Sequence, residues 1–283
     1  MFPVNFRQNI SNFVEGTRFF INFRELVIYI IEYGGRETLI NSQKLRNIAP
    51  VVVLITVLIW FTIVNPSGLK TALGNKSLYR VDVTDKVVAL TFDDGPDPRY
   101  TLPILDTLRQ YQAPACFFVV GKNVEAHPEI AKRIILEGHE IANHTMTHPQ
   151  MPDLSGRETD QEISGCQQVV EKTTGQLPVF YRSPKGLSTD YAKTSASSLG
   201  LQEVLWTLTI ENRNAPTPEK MANRILEKVK PGYIILLHDG RLDRSKTVQA
   251  LPLLLKGLQD RGFRVVSLSD LLSMQNTTYD DLS

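Results

Sequence analysis

The stretch Val87-Val88-Ala89-Leu90-Thr91-Phe92-Asp93-Asp94-Gly95-Pro96 joins an apolar run to two adjacent acids and a Gly-Pro pair. The run predicts a buried strand and Gly-Pro predicts a turn, so both carboxylates should lie where a strand ends. Proteins of the α/β class keep functional residues at such carboxyl ends. Successive side chains of an extended segment point in different directions, so Asp93 and Asp94 can serve two purposes. The simpler alternative is a solvated Asp-Asp-Gly turn.

From residue 86 onward, predicted strands and helices alternate along the chain. The alternation implies parallel strands joined by helical crossovers. We therefore predict an α/β fold, a closed or nearly closed β/α barrel of about seven parallel strands. The predicted strands are residues 87–92, 115–120, 139–143, 178–182, 203–208, 233–238 and 263–268.

The composition is that of a globular protein: of 283 residues, 42% are hydrophobic and 22% are charged, with a net charge of +1. The near-neutral charge gives no electrostatic footprint for nucleic acid, so no nucleic-acid partner is predicted. Cys116 and Cys166 form no Cys-x-x-Cys pair, which excludes a cysteine zinc site. Buried thiols are favoured for both, and a single disulfide stays open.

Residues 48–64 contain no charged side chain. A helix of this length approaches the thickness of the bilayer hydrocarbon, so we predict a transmembrane helix, with a buried core helix as the alternative. Basic residues before it place the N-terminus in the cytoplasm and the domain of residues 86–275 outside, as in a single-pass membrane protein. Residues 1–47 form an amphipathic surface helix or a poorly ordered tail, residues 65–85 a linker, and residues 276–283 a polar tail.

Three further predicted strands end in polar residues, which should meet the two acids at one face of a barrel. The strand ending near Asn143 runs into His144 and His148, another runs into Arg182, and another ends at His238. His144 and His148 are four positions apart, so on a helical turn or a tight loop their imidazoles face the same way. Two histidines and one carboxylate make a three-ligand metal site with open positions. Surface or capping histidines are the alternative.

The sequence Gly138-His139-Glu140-Ile141-Ala142-Asn143-His144-Thr145-Met146-Thr147-His148-Pro149, taken with Thr91–Pro96, resembles the polysaccharide deacetylase family of the NodB type, which acts on chitin and peptidoglycan. Arg182-Ser183-Pro184-Lys185-Gly186 is similar to the third motif of that family, and Leu236-Leu237-His238-Asp239 to the fifth. The resemblance spans roughly residues 86 to 270 and implies a distorted β/α barrel.

The resemblance also implies roles for the residues at the strand ends. Asp94, His144 and His148 would hold a divalent metal, most typically Zn²⁺, with Co²⁺, Ni²⁺ or Mn²⁺ as alternatives. Asp93 would be the general base on a water that the metal activates, and Arg182 would orient that base.

On the leaving-group side, the resemblance implies that His238 is the general acid, because an unassisted amine is a poor leaving group. The backbone N–H of Lys185 would help to stabilise the oxyanion. Pro184 and Leu236 would lie on the substrate side of the site.

The fourth motif, Thr209-Ile210-Glu211-Asn212-Arg213, departs from the family pattern of a carboxylate, two residues, a second carboxylate and a tryptophan. Asn212 can orient His238 but supplies no charge, and Glu211, one position off, is the alternative support. We therefore expect the acid to have a lower pKa than in typical members, and Asn212→Asp to move the alkaline limb of activity upward. Arg213 in the tryptophan position disfavours a flat, neutral chitin chain.

The resemblance predicts a membrane-tethered, metal-dependent hydrolase of non-peptide carbon–nitrogen bonds. It would remove N-acetyl groups from amino sugars of an envelope or cell-wall polysaccharide, peptidoglycan or chitin-like, and its partner would be that acetylated polymer or oligomer. One alternative is an O-acetyl esterase on a hemicellulose-type polysaccharide, and another is a catalytically weakened carbohydrate-binding relative. A binding relic has no physical reason to keep both acids, both histidines, Arg182 and His238.

Overall fold

A computed structural model describes residues 76–212 and 214–275, and this part of the chain forms an α/β fold of parallel strands and helices. The strands are β1 Val87–Asp93, β2 Cys116–Val119, β3 Glu140–Asn143, β4 Phe180–Tyr181, β5 Gln202–Glu203, β6 Leu208–Thr209, β7 Ile234–His238 and β8 Arg264–Val266. The helices are α1 Thr101–Tyr111, α2 Gly121–Ala126, α3 Pro128–Leu136, α4 Gly156–Thr174, α5 Asp190–Ser198, α6 Pro218–Lys228, α7 Ser245–Asp260 and α8 Leu268–Ser273.

The sheet has the order β5-β4-β3-β2-β1-β7-β6, and β8 also pairs with β1. Every pairing between these strands is parallel. The predicted α/β class with parallel strands is therefore confirmed, and the sheet forms a half-barrel. Strand β1 lies at its centre because β7 pairs along one side of it, while β8 and then β2 pair along the other.

Strand β1 is buried along its whole length, as its continuous apolar sequence predicts. Its side chains alternate between two cores. Val88, Leu90 and Phe92 belong to the larger core, which also contains buried residues of α1, α2, α3, α4, α6 and α7. Val87 and Ala89 belong to the core on the other face of the sheet. Because the alternation has a period of two, Asp93 continues the row of Val87 and Ala89 at the strand's carboxyl end.

The predicted strand 203–208 is two short strands in the structure, which raises the strand count from about seven to eight. Its first part, β5, pairs with β4, and its second part, β6, pairs with β7 at the opposite edge of the sheet. Between them, the carbonyls of Val204 and Leu205 accept hydrogen bonds from the buried guanidinium of Arg182, at 2.8 and 2.9 Å.

Residues 78–81, which we assigned to the end of the linker, are hydrogen-bonded into the domain. The backbone N–H of Leu78 donates to Glu203 at 3.0 Å, and that of Val81 donates to Gly232 at 2.9 Å. Val81 is also buried, at 2% exposure. This segment therefore lies between the end of β5 and the start of β7, and the folded domain begins before residue 86.

Within the described part of the chain, both cysteines are free and buried, so the open disulfide alternative is wrong. No helix among those residues is long and apolar enough to cross a bilayer. The N-terminal segment 1–47, the predicted transmembrane helix 48–64 and the tail 276–283 lie outside the described residues, as does most of the linker, and these assignments stay predictions.

Candidate active site

Asp93 and Asp94, at the end of strand β1, lie in different backbone conformations. Asp93 is the last residue of the strand and is 3% exposed. Asp94 follows with a φ of 78°, in the left-handed region, which turns its side chain away from the strand direction. The side-chain amide of Asn123 donates to the Asp94 carbonyl at 2.8 Å and holds this turn.

His144 and His148 lie on a tight loop after β3 rather than on a helix. Thr145 and His148 have φ values of 70° and 61°, and the hydroxyl of Thr145 accepts a hydrogen bond from the His148 N–H at 3.1 Å. The buried amide of Asn143 accepts from the Thr145 N–H at 2.9 Å and donates to the Ile163 carbonyl at 2.8 Å. The loop is thus fixed to α4, and the two rings lie with centroids 5.0 Å apart.

Asp94, His144 and His148 form a cluster that suits a divalent metal. Ligand atoms of the three residues all lie within 4.8 Å of one another. Oδ1 of Asp94 is 3.6 Å from Nε2 of His144 and 3.1 Å from Nε2 of His148. Among the described residues this buried oxygen has no hydrogen-bond partner. One carboxylate and two imidazoles with open positions are the donor set of a catalytic zinc site.

The protonation states of this cluster also suit metal binding. Nδ1 of His144 is 2.8 Å from the Arg182 carbonyl, which fixes the proton on Nδ1 and leaves Nε2 free as a ligand. Burial raises the pKa of Asp94, but the neighbouring imidazoles of His144 and His148 lower it more, so its pKa is well below the ordinary value. Nη1 of Arg241 lies 2.9 Å from Nε2 of His148. The Arg241 side chain must therefore move before Nε2 of His148 can bind a metal.

Asp93 is held by Arg182, which is fully buried. Nη1 of Arg182 donates to Oδ1 of Asp93 at 2.6 Å and to the hydroxyl of Thr91 at 3.0 Å. The other oxygen of Asp93 is 3.8 Å from Nε2 of His144. One oxygen of this carboxylate is therefore fixed by a charged hydrogen bond, while the other points toward the metal cluster.

His238, the last residue of β7, is supported by Glu211. Nδ1 of His238 lies 3.1 Å from Oε2 of Glu211, and Oε1 of Glu211 accepts from the Thr247 hydroxyl at 2.8 Å. Burial lowers the pKa of His238, but Glu211 and, less strongly, Asp93 raise it more, so the net shift is upward. Burial raises the pKa of Glu211, and His238 lowers it more, so this carboxyl is held ionised.

Asn212, predicted as a possible support of His238, does not contact it in the structure. Its side chain is exposed, and its Oδ1 accepts a hydrogen bond from the Asn214 N–H at 2.8 Å instead of meeting His238. The predicted lowering of the acid's pKa rested on a missing charge, and Glu211 supplies that charge from one position earlier. Arg213 lies outside the described residues, so its expected effect on the sugar pocket stays a prediction.

The predicted site residues meet at a cavity of about 410 Å³. It is lined by Asp93, Asp94, His144, His148, Lys185, Trp206, Thr209, Glu211, Leu236, His238, Arg241, Leu242 and Arg244. Lys185 has a φ of 58°, and its ammonium donates to the side chain of Gln150 at 2.9 Å. Pro184 is buried beside it and does not line the cavity. Arg182 lies behind Asp93, outside the lining.

Several residues at or near the cavity were missed from the sequence, among them Arg244, Trp206 and Asp239. Arg244 lies 3.3 Å from Oδ2 of Asp94, but no motif marks it. Trp206 lies at the break between β5 and β6, which sequence periodicity does not reveal. Asp239 is fully buried beside His238, where burial and the charges of Asp94 and Asp93 raise its pKa to about 7. Its adjacency to His238 was the available signal for it.

Comparisons with known proteins identify the family of the chain. A family model described as polysaccharide deacetylase matches residues 80–204. The peptidoglycan-N-acetylglucosamine deacetylase of Bacillus cereus is 40% identical over 196 residues, which cover 69% of this chain and 92% of that protein. A chitooligosaccharide deacetylase of a Bradyrhizobium species is 37% identical, over 65% of this chain and 90% of its own. The crystal structure of a CE4 family pseudoenzyme from Bacillus anthracis is 27% identical with a TM-score of 0.66, covering 71% of this chain and 70% of that one.

Proposed function

Because the chain belongs to the polysaccharide deacetylase family, we propose that it uses a divalent metal, Zn²⁺ first of all, to remove N-acetyl groups from amino sugars of a cell-wall or envelope polysaccharide. One observation carries the proposal. A carboxylate fixed by a buried arginine, Asp93, lies beside a second carboxylate that shares its cluster with two imidazoles, Asp94 with His144 and His148. The family membership supports hydrolysis of the N-acetyl amide bond, and the donor set supports zinc.

In this proposal each side chain has a separate task. Asp93, oriented by Arg182, accepts the proton of the water whose oxygen bonds to the acetyl carbon. Asp94, His144 and His148 would hold the metal, which would supply Lewis-acid polarisation of the acetyl carbonyl and a more acidic water. The backbone N–H of Lys185 is assigned to stabilise the oxyanion. The acetyl group is assigned to the end of the cavity nearest Asp94, His144 and His148.

His238 completes the reaction in this scheme. Its imidazolium donates a proton to the sugar nitrogen as the carbon–nitrogen bond breaks, which releases acetate and a free amine. Glu211 stabilises the imidazolium before the transfer, since it raises the pKa of His238. Leu236 lies two residues before His238 in β7 and lines the cavity wall, where its apolar side chain would exclude water beside the reacting group.

The two alternatives are less well supported. An ester needs less help from an acid than an amide, because an alkoxide leaves more easily than an amine anion. The Glu211–His238 pair therefore favours amide hydrolysis over O-acetyl esterase activity. A pseudoenzyme is among the similar structures, but this chain retains both acids, both histidines, Arg182 and His238 in one arrangement. That retention favours an active enzyme.

Location follows from the same proposal. A cell-wall polymer lies outside the cytoplasmic membrane, so the catalytic domain must also be extracytoplasmic. The uncharged segment 48–64, with basic residues before it, supports a single-pass anchor with a cytoplasmic N-terminus. Fractionation of the full chain, with protease added outside intact cells, tests this: cleavage of the domain is expected, and full protection would contradict it.

A substrate panel tests the activity. We expect the full chain with zinc to release acetate from N-acetylglucosamine oligomers or peptidoglycan, and much less from an acetylated xylan. Higher turnover on the xylan would instead support the esterase. Acetate release from none of them, by a protein that binds zinc, would support the binding relative.

A further inference from the structure

Arg244 lies between the two halves of the candidate site, immediately before α7. Its side chain is 11% exposed, and its Nε donates to the Gly240 carbonyl at 2.9 Å. Nη2 of the same guanidinium donates to Oδ2 of Asp94 at 3.3 Å, and Nη1 lies 3.9 Å from Oε1 of Glu211. The planar guanidinium of Arg244 therefore faces two carboxylates, Asp94 of the metal cluster and Glu211, which supports His238.

Each of these carboxylates turns its other oxygen toward a histidine. Oδ1 of Asp94 faces the two clustered imidazoles, and Oε2 of Glu211 faces His238. We propose that Arg244 is a positioning residue: by holding one oxygen of each carboxylate, it aims the other oxygen at its histidine partner. Its catalytic consequence rests on the proposed function, but its effect on metal binding does not.

The surroundings of Arg244 suit this task. Gly240, which anchors the guanidinium, packs so closely that an added Cβ would meet the Asp94 carbonyl oxygen. Thr247, in the first turn of α7, donates to the same oxygen of Glu211 that Arg244 faces. Arginine fits because its rigid fork presents several donors in one plane, whereas lysine offers one compact charge.

Arg244 could act as a simple positive charge or as a positioning residue, and the two roles predict opposite changes in metal affinity when the side chain is removed. If Arg244 acted only through its charge, its removal would strengthen the binding of a divalent cation, because repulsion would be lost. If it positions Asp94, its removal should weaken binding, since partners of a metal ligand typically contribute about 10–100-fold to affinity. The sign of the change therefore distinguishes the two roles.

Zinc titration against a chromophoric chelator, on the full chain, measures that sign. We expect Arg244→Met to weaken zinc binding about tenfold or more and Arg244→Lys, which can hold one carboxylate, to give an intermediate loss. Lys246→Met removes an exposed cation from the same turn and should stay within about twofold of wild type. Unchanged or tighter zinc binding by Arg244→Met, or by Arg244→Lys if the methionine variant melts early, would overturn the proposal.

The proposed action of Arg244 on Glu211 is tested by a double-mutant cycle on kcat at saturating zinc. If Arg244 also acts through Glu211, the losses from Arg244→Met and Glu211→Gln should overlap, and the double variant should be at least about fivefold more active than the product of the single losses predicts. Strictly multiplicative losses would contradict the link to Glu211. A wild-type protein that binds zinc but releases no acetate would refute the proposed function, while the zinc titration would still decide the role of Arg244.

Discussion

The two halves of the site differ in how they are built. In the metal and base half, Arg182 is fully buried and donates to Asp93, to Thr91 and to two backbone carbonyls, and His144 is 1% exposed and bonded to the Arg182 carbonyl. In the acid half, the side chains of His238 and Glu211 are 22% and 25% exposed, and one carboxylate supports the histidine. The metal and base half therefore relies on several buried hydrogen bonds around Asp93, whereas the acid half relies on the charge of Glu211 beside His238.

The difference explains why the acid half tolerates an altered motif. In the metal half, a shift of one position would turn Asp93 and Asp94 to different partners, because they lie on and just after a strand. In the acid half, the chain after β6 is a loop, and a loop can present a carboxylate from position 211 instead of 212. The position of the charge in space is kept although its position in the sequence is not.

The largest expected effect is on Asp93. Asp93→Asn removes the proposed base while keeping the shape of the side chain, so kcat should fall by about 10²–10⁴-fold. Metal analysis of the purified variant should give the wild-type zinc content, because Asp93 is not assigned to the metal. Loss of zinc would mean that the roles of Asp93 and Asp94 are exchanged.

Arg182→Met and a matched variant compare the two halves of the site by the stability that each loses. Removing one partner of a buried ion pair leaves Asp93 uncompensated, so the free energy of unfolding should fall by about 3–5 kcal/mol in urea titrations. The matched change in the acid half, Glu211→Gln, removes a partly exposed charge and should cost about 1 kcal/mol or less. Equal losses in the two variants would show that the halves do not differ as described.

Glu211→Gln should change the pH dependence more than the stability. Glu211 raises the pKa of His238, so the amide variant should lose the protonated acid at a lower pH than wild type. Because the acid form donates the proton, the alkaline limb of the kcat profile should move downward. A limb that stays in place would show that Glu211 does not support the acid.

Asn212→Asp should give the smallest effect. The side chain at position 212 is exposed and bonded to Asn214, away from His238. We expect its pH–rate profile to overlay that of wild type, in contrast to the upward shift that the family pattern suggested. An upward shift would restore position 212 as the support of the acid.

The central strand and the strand ends could be predicted because apolar runs, Gly-Pro breaks and adjacent acids are local signals. The split of residues 203–208 could not, since it depends on pairing with β4 and β7 and on Arg182, all distant in sequence. For the same reason residues 78–81 looked like linker. Glu211 and Asn212 could not be ranked either, because backbone geometry in a loop decides which side chain faces His238.

Acetate release from peptidoglycan tests the central claim most directly. Activity should disappear when the full-length wild-type protein is stripped with a chelator and should return when zinc is restored, whereas Asp93→Asn should bind zinc equally and stay inactive. Acetate release that survives complete removal of the metal, or that continues in zinc-loaded Asp93→Asn, would contradict a site in which Asp94 and two histidines hold the metal and Asp93 moves the proton.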